Sequence, residues 1–152
     1  MNFWGIVVGG VLVVGLGVVG WQAFQPEVAT QDHSMVPPDT SDIAAGGALA
    51  DVVLPAELST DAQIGKRIFE VSCAACHGQN AAGQNGVAPP LVHITYEPNH
   101  HSDAAFIIAA QNGVRAHHWD FGNMPPIEGV TQADVQFIAR YIRELQRANG
   151  IN

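Results

Sequence analysis

Cys73-Ala74-Ala75-Cys76-His77 is the stretch on which the reading of the chain turns. Two thiols and an imidazole in the order C-x-x-C-H form the pattern that attaches a haem covalently. The spacing has a geometric reason. On a helical turn, positions 73, 76 and 77 stand at i, i+3 and i+4 and share one face. Two thiols placed there can add across the two vinyl groups of a haem, and the imidazole beside them can reach the iron. Both cysteines of the chain lie in this motif, so no disulfide framework competes for them. Two other chemistries share part of the pattern. A redox-active dithiol is one, expected beside a βαβ pattern that the sequence does not show. A zinc site is the other, with His100-His101 or His117-His118 completing the ligand set. The histidine at position 77 favours haem.

Upstream, Thr60-Asp61-Ala62-Gln63 reads as a T-x-x-Q capping box. It opens a helix whose apolar positions are Ile64, Ile68 and Phe69, and which runs through Ser72 into the motif. Downstream, residues 78–86 are polar and rich in glycine, as a loop requires. Val87-Ala88-Pro89-Pro90-Leu91 follows. A stiff proline turn there, around Pro90, can hold a backbone carbonyl against the second imidazole nitrogen of His77, fixing its tautomer. A second helix is expected from Ser102 as N-cap, with Asp103 in its first turn and Ala105, Phe106, Ile108 and Ala109 on its apolar side, ending near Gly113. Residues 115–123 show no period and lead to Met124-Pro125-Pro126. The last helix is capped by Thr131, carries Asp134 at N3, and repeats Val135, Ile138, Ile142 and Leu145 along one stripe. Arg143 and Arg147 near its end suit the macrodipole, and Gly150 closes it.

Taken together, Cys73 to His77, Pro90-Leu91, Met124-Pro125 and the final amphipathic helix make residues 60–149 resemble the class I cytochrome c family. The resemblance implies an all-α fold of three main helices wrapped around one covalent haem c. It implies close packing of Gly65 and Phe69 on the first helix against Ile138 and Tyr141 on the last. It implies iron held by His77 and Met124, with His93, His100, His101, His117 and His118 as rivals to the methionine. Arg115 and Trp119 are candidate donors to the haem propionates, because guanidinium and indole N–H only donate; Trp119 can equally serve as a packing residue. Val92, Tyr96 and Phe121 are expected to line the pocket. With both iron positions taken, the implied role is one-electron transfer and not enzymatic catalysis.

Phe3 to Phe24 is a continuous apolar run broken only by glycines and Gln22. It is long enough to cross a hydrocarbon core of roughly 30 Å, and Trp4 and Trp21 stand near its ends. Residues 1–24 are therefore expected to be an uncleaved transmembrane anchor. A cleaved signal peptide fits less well, since the run exceeds an h-region of about 7–15 residues. Gly5 and Gly9 make a GxxxG, with which a partner helix can pack. Residues 25–59, rich in Pro, Asp, Thr, Ala and Gly, read as a flexible acidic linker. They carry Glu27, Asp32, Asp39, Asp42, Asp51 and Glu57 without a lysine or arginine, and so hold most of the chain's net charge of −8. Nucleic acid is excluded as a partner, because phosphate binding needs basic clusters. Residues 60–152 form the haem domain. The whole chain looks like a membrane-anchored bacterial monohaem cytochrome c. That likeness implies a single-pass protein of the inner membrane with its haem domain on the periplasmic side. It would pass electrons between redox proteins such as a quinol-oxidising complex and a terminal oxidase or another acceptor. The alternatives are a fixed electron-transfer subunit of a membrane complex and a haem-based sensor or enzyme.

Overall fold

The structure, a computed structural model, describes residues 36–152. The expected anchor and the first part of the expected linker lie outside the described residues. Three helices of ten or more residues build the body: α1 (Thr60–Ser72), α3 (Asp103–Asn112) and α4 (Gln132–Ala148), with a single turn, α2 (Ala74–His77), following directly on α1. Two three-residue 3₁₀ turns, Gln79–Ala81 and Ile94–Tyr96, lie between α2 and α3. Among the described residues there is no strand longer than a bridge. Two isolated antiparallel bridges occur, Gln84 with Ala88 and Val114 with Met124. The all-α expectation with three main helices is met. No helix of the described residues is long and apolar enough to cross a membrane.

α4 begins as the sequence dictates. The Thr131 hydroxyl accepts from the Asp134 N–H, and the Asp134 carboxylate accepts from the Thr131 N–H at 2.9 Å. At the other end Gly150 takes φ +76°. Ile151 N–H then donates to Gln146 O and Gly150 N–H to Arg147 O, a Schellman closure with Ile151 buried beneath it. α1 starts one residue earlier than the T-x-x-Q pattern suggests. Its N-cap is Ser59, whose hydroxyl oxygen accepts from Ala62 N–H. Gln63 turns back to donate to Leu58 O instead of completing a box. Ser59 is preferred because its own N–H and O–H both donate to Glu144 of α4, at 3.0 and 2.6 Å, tying the start of α1 to its neighbour.

The core lies where α1 crosses α4. Phe69, Ile138, Tyr141, Ile142 and Leu145 are buried there, with the Phe69 and Tyr141 rings 5.7 Å apart and tilted by 57°. Gly65 makes the crossing close. A Cβ at this position would sit 1.9 Å from the Phe137 carbonyl oxygen and 3.0 Å from Ile138 N. The pairing expected of Gly65 and Phe69 with Ile138 and Tyr141 is observed.

Two expectations need correction. The flexible linker does not extend to residue 59. Within its described part, residues 40–58 form a strap fixed to the body. Asn85 Nδ2 donates to Ile43 O at 2.6 Å, Leu49 and Ala50 N–H donate to Ala82 O, and Val53 exchanges two 2.9 Å hydrogen bonds with the Asn149 side chain. Val52 and Leu58 pack on the core. Arg143, expected with Arg147 to suit the dipole at the helix end, lies before the last turn and is 6 % exposed. Its guanidinium donates to Asp103, Tyr96 O, Gln146 and His101 O. It holds α4 to the segment that leads into α3.

Gly65→Ala is expected to lower unfolding stability by about 2–3 kcal/mol, since neither backbone can yield without opening the crossing; chemical denaturation of the haem-loaded protein measures it. The Thr131 hydrogen bonds hold the Asp134 carboxyl below its ordinary 3.8. The stability this group gives is therefore complete above that value and lost as pH falls through the folded-state value. Asp134→Ala should flatten the acid limb of thermal stability measured between about pH 5 and 2 and leave the neutral region lower by a small constant amount.

Candidate haem-attachment site

The motif forms a helical turn. Cys76 and His77 N–H both donate to Cys73 O, at 3.1 and 2.9 Å. This is the i+3 and i+4 relation that brings both thiols and the imidazole to one side. α1 stops at Ser72, and Cys73 caps α2 with φ −124°, so the turn is re-aimed relative to the long helix. Three carbonyls of the turn are bound by one side chain. Gln84 Nε2 donates to Ala75 O at 2.8 Å and to Cys76 O at 3.0 Å, and lies 3.5 Å from Ala74 O. This support was not visible in the sequence, where Gln84 is one polar residue in a polar loop.

His77 is 8 % exposed. Its Nδ1 donates to a carbonyl of the proline turn at 2.9 Å, but the carbonyl belongs to Pro89 and not to Pro90. Pro90 is fully buried one residue further on, and its role is to set the turn. Gly83 makes room for it: at φ +73°, a Cβ there would meet Pro90 N at 2.5 Å. Gly83 N–H in turn donates to His77 O at 2.7 Å. The histidine is thus held by its ring and by its main chain. Burial lowers the His77 pKa, with the Pro89 bond acting the other way. The ring is therefore kept neutral, with Nδ1 carrying the proton and Nε2 a free lone pair. That is the state in which an imidazole binds a metal.

Cys73 is half-buried and Cys76 exposed. Burial, and then the neighbouring Cys76, push the Cys73 thiol up to about 11. A raised thiol pKa does not suit Cys73 to disulfide exchange, which needs a thiol of low pKa. The mixed zinc reading fails. Among the described residues, the group of histidines, cysteines and carboxylates close enough to share an ion is His100, His101 and His118, and it contains neither cysteine.

Met124 is half-buried and its main chain is fixed by the bridge to Val114, with hydrogen bonds of 2.9 and 3.0 Å in both directions. Trp119 is 6 % exposed; its ring stacks on Phe121 at 5.6 Å and meets His93 edge-on at 5.3 Å. The Trp119 Nε1 is buried without a partner at hydrogen-bond geometry. Burial raises the pKa of the Tyr96 phenol, and the adjacent indole opposes this. Arg115 lies exposed, and its carbonyl accepts from His117 Nδ1 at 2.8 Å. α3 is apolar around most of its surface yet buries no residue fully, and Ile108 is 58 % exposed. A groove of about 650 Å³ lies elsewhere, between the strap, α1 and Tyr141, and none of the expected site residues lines it.

These features fit a covalently held haem. The thiols share a turn with a buried, tautomer-fixed imidazole. An orphaned buried N–H is suited to an anionic acceptor, and apolar surface on α3 is suited to a macrocycle.

The comparisons with known proteins agree. The Cytochrome c family model matches residues 62–146. Cytochrome c-554(547) from Halothiobacillus neapolitanus is 49% identical over 37 residues, which cover 24% of this chain and 40% of that protein. The similarity thus spans less than half of that relative. No solved structure gives a significant match.

Trp119→Phe keeps the ring and removes the orphaned donor. If the N–H meets a haem propionate, the loaded variant should be about 1–2 kcal/mol less stable and its midpoint potential lower, because a less neutralised carboxylate favours the ferric state. Denaturation and potentiometry check this; unchanged values in both assign Trp119 to packing alone.

Proposed function

The chain belongs to the cytochrome c family, and from that premise we propose that it carries single electrons between membrane complexes as a tethered monohaem protein. The observation that carries the reading is the state of His77: buried, neutral, proton fixed on Nδ1 by Pro89 O, and on one turn with both thiols. A bound haem supplies an iron that accepts and releases one electron. The residues of the chain do the rest. Cys73 and Cys76 would hold the group by thioether bonds, and His77 and Met124 would supply the two protein ligands to iron. A thioether as the second ligand would set a higher potential than a second imidazole. Gln84 and Gly83 hold the carbonyls of the motif turn and of His77 by hydrogen bonds and so keep both thiols and the imidazole in place.

The apolar run of residues 3–24 supports a membrane anchor, with the domain on the periplasmic side of a bacterial inner membrane. Residues 40–58 are bound to the body as a strap, so a tether would be shorter than the linker expected from the sequence. A domain held at the membrane would exchange electrons between neighbouring complexes, one oxidising quinol and one accepting electrons, through small transient contacts. Co-migration with a stable complex after mild detergent extraction would instead mark a fixed subunit.

The test is an alkaline pyridine haemochrome spectrum of the purified protein with a reversible potentiometric titration. One c-type haem per chain and a one-electron transition are expected. Met124→Ala should abolish the near-infrared thioether–iron band, and Cys73→Ala/Cys76→Ala should lose covalent haem together with cooperative unfolding, since a body of this size has little core of its own. Absence of a c-type haemochrome would overturn the reading.

A further inference from the structure

Four histidines that the electron-transfer reading does not use gather on one side of the molecule. His100, His101 and His118 each present a ring nitrogen such that all three lie within 4.8 Å of one another. Their rings form a near-regular triangle, with centroid separations of 4.6, 5.3 and 5.4 Å. His117 stands beside them, its ring 4.3 Å from that of His118.

The arrangement is built and not incidental. Adjacent side chains normally diverge, yet His100 and His101 converge. Their turn is locked by two hydrogen bonds to Glu97 O, from His100 N–H at 3.1 Å and His101 N–H at 2.8 Å. The Arg143 guanidinium holds His101 O from below and is itself fixed by Asp103 and Tyr96 O. His118 directly precedes the buried Trp119. The rings are oriented too. His101 Nδ1 donates to Thr95 O at 2.7 Å, which fixes its tautomer and leaves Nε2 as the lone-pair nitrogen. Metal-binding histidines are commonly held by such a carbonyl bond. One edge of the triangle has the length that a tetrahedral ion would set. His100 Nε2 and His118 Nε2 are 3.4 Å apart. Tetrahedral coordination with Zn–N bonds of about 2.0–2.1 Å has N···N edges of about 3.3–3.4 Å.

We infer that His100, His101 and His118 form a tripodal site for a divalent transition-metal ion of the zinc type, separate from the haem ligands. The donors are three imidazoles with no thiolate and no carboxylate among them. Imidazole suits zinc and its neighbours, whereas calcium and magnesium need oxygen and cuprous copper prefers sulfur. Three protein ligands leave one position for water or for a group from a partner. This site does not depend on the identity of the electron partners or on the anchor.

The test uses the full-length, haem-loaded protein titrated with Zn²⁺ alone against a chromophoric zinc chelator. One ion per chain is expected. His100→Gln and His118→Gln should each weaken binding by about 100-fold or more, while Glu70→Gln on α1, outside the cluster, should leave it unchanged. All variants should keep the haem absorption spectrum of the parent, which shows that they fold and that none of these histidines is an iron ligand. Absence of stoichiometric zinc binding, or binding retained in the His100→Gln/His118→Gln double variant, would overturn the proposal. So would a changed haem spectrum in His118→Gln, because it would place that ring at the haem.

Discussion

The close crossing of α1 and α4 at Gly65 is the constraint from which the remaining geometry follows. A missing side chain lets the Phe137 carbonyl approach the α1 backbone to a distance that no Cβ permits. Phe69 and Tyr141 then meet one turn further along, and the end of α1 is carried to a fixed place. The motif turn begins at that end. Cys73 interrupts the helix and re-aims the next turn, so the direction in which both thiols and His77 point is inherited from the crossing. Small-residue contact between helices does here what a large apolar core does in bigger domains. It sacrifices buried side-chain volume for a backbone approach that admits one register.

The local chemistry of the site was legible because it is written in residue types that act on their own neighbours. C-x-x-C-H needs only a helical turn to become three groups on one face. Thr131 with Asp134, and Gly150 after the last stripe residue, declare the ends of α4 without tertiary help. The apolar stripe of α4 was legible from its helical period, and the close packing of Gly65 against the last helix through the family resemblance. The carbonyl that holds His77 was legible as a proline turn but not as Pro89, because two consecutive prolines stiffen the same turn and only the folded path decides which oxygen faces the ring.

What escaped the sequence was carried by main-chain acceptors and by long-range polar contacts. Arg143 has the same appearance as Arg147 in the sequence. One is buried because the Tyr96 and His101 carbonyls and the Asp103 carboxylate surround it; the other stays at the surface. Carbonyl groups are present at every residue and leave no mark in the pattern. The strap is similar. Its composition resembles that of a free linker, and its attachment rests on Asn85 and Asn149, side chains 42 and 96 residues from the carbonyls they hold. Gln84 belongs to the same class: one amide bridges the last carbonyls of the motif turn, and nothing in the loop's polarity announces it.

The buried arginine connects the two sites. Arg143 sits on the helix whose crossing positions the motif, and its guanidinium also holds the turn that presents His100 and His101. Its Cζ lies 5.0 Å from the centre of the Phe106 ring, so α3 is drawn into the same arrangement. Charge buried in this way is costly unless it is paired and hydrogen-bonded, and here the Asp103 carboxylate, the Gln146 amide and the Tyr96 and His101 carbonyls accept from four of its five N–H groups. The consequence is mechanical. The histidine turn cannot shift relative to α4 without leaving that charge unpaired, and α4 cannot shift relative to α1 without opening the Gly65 crossing. The motif turn and the histidine cluster are therefore held in one frame through a single helix, although no residue of one belongs to the other.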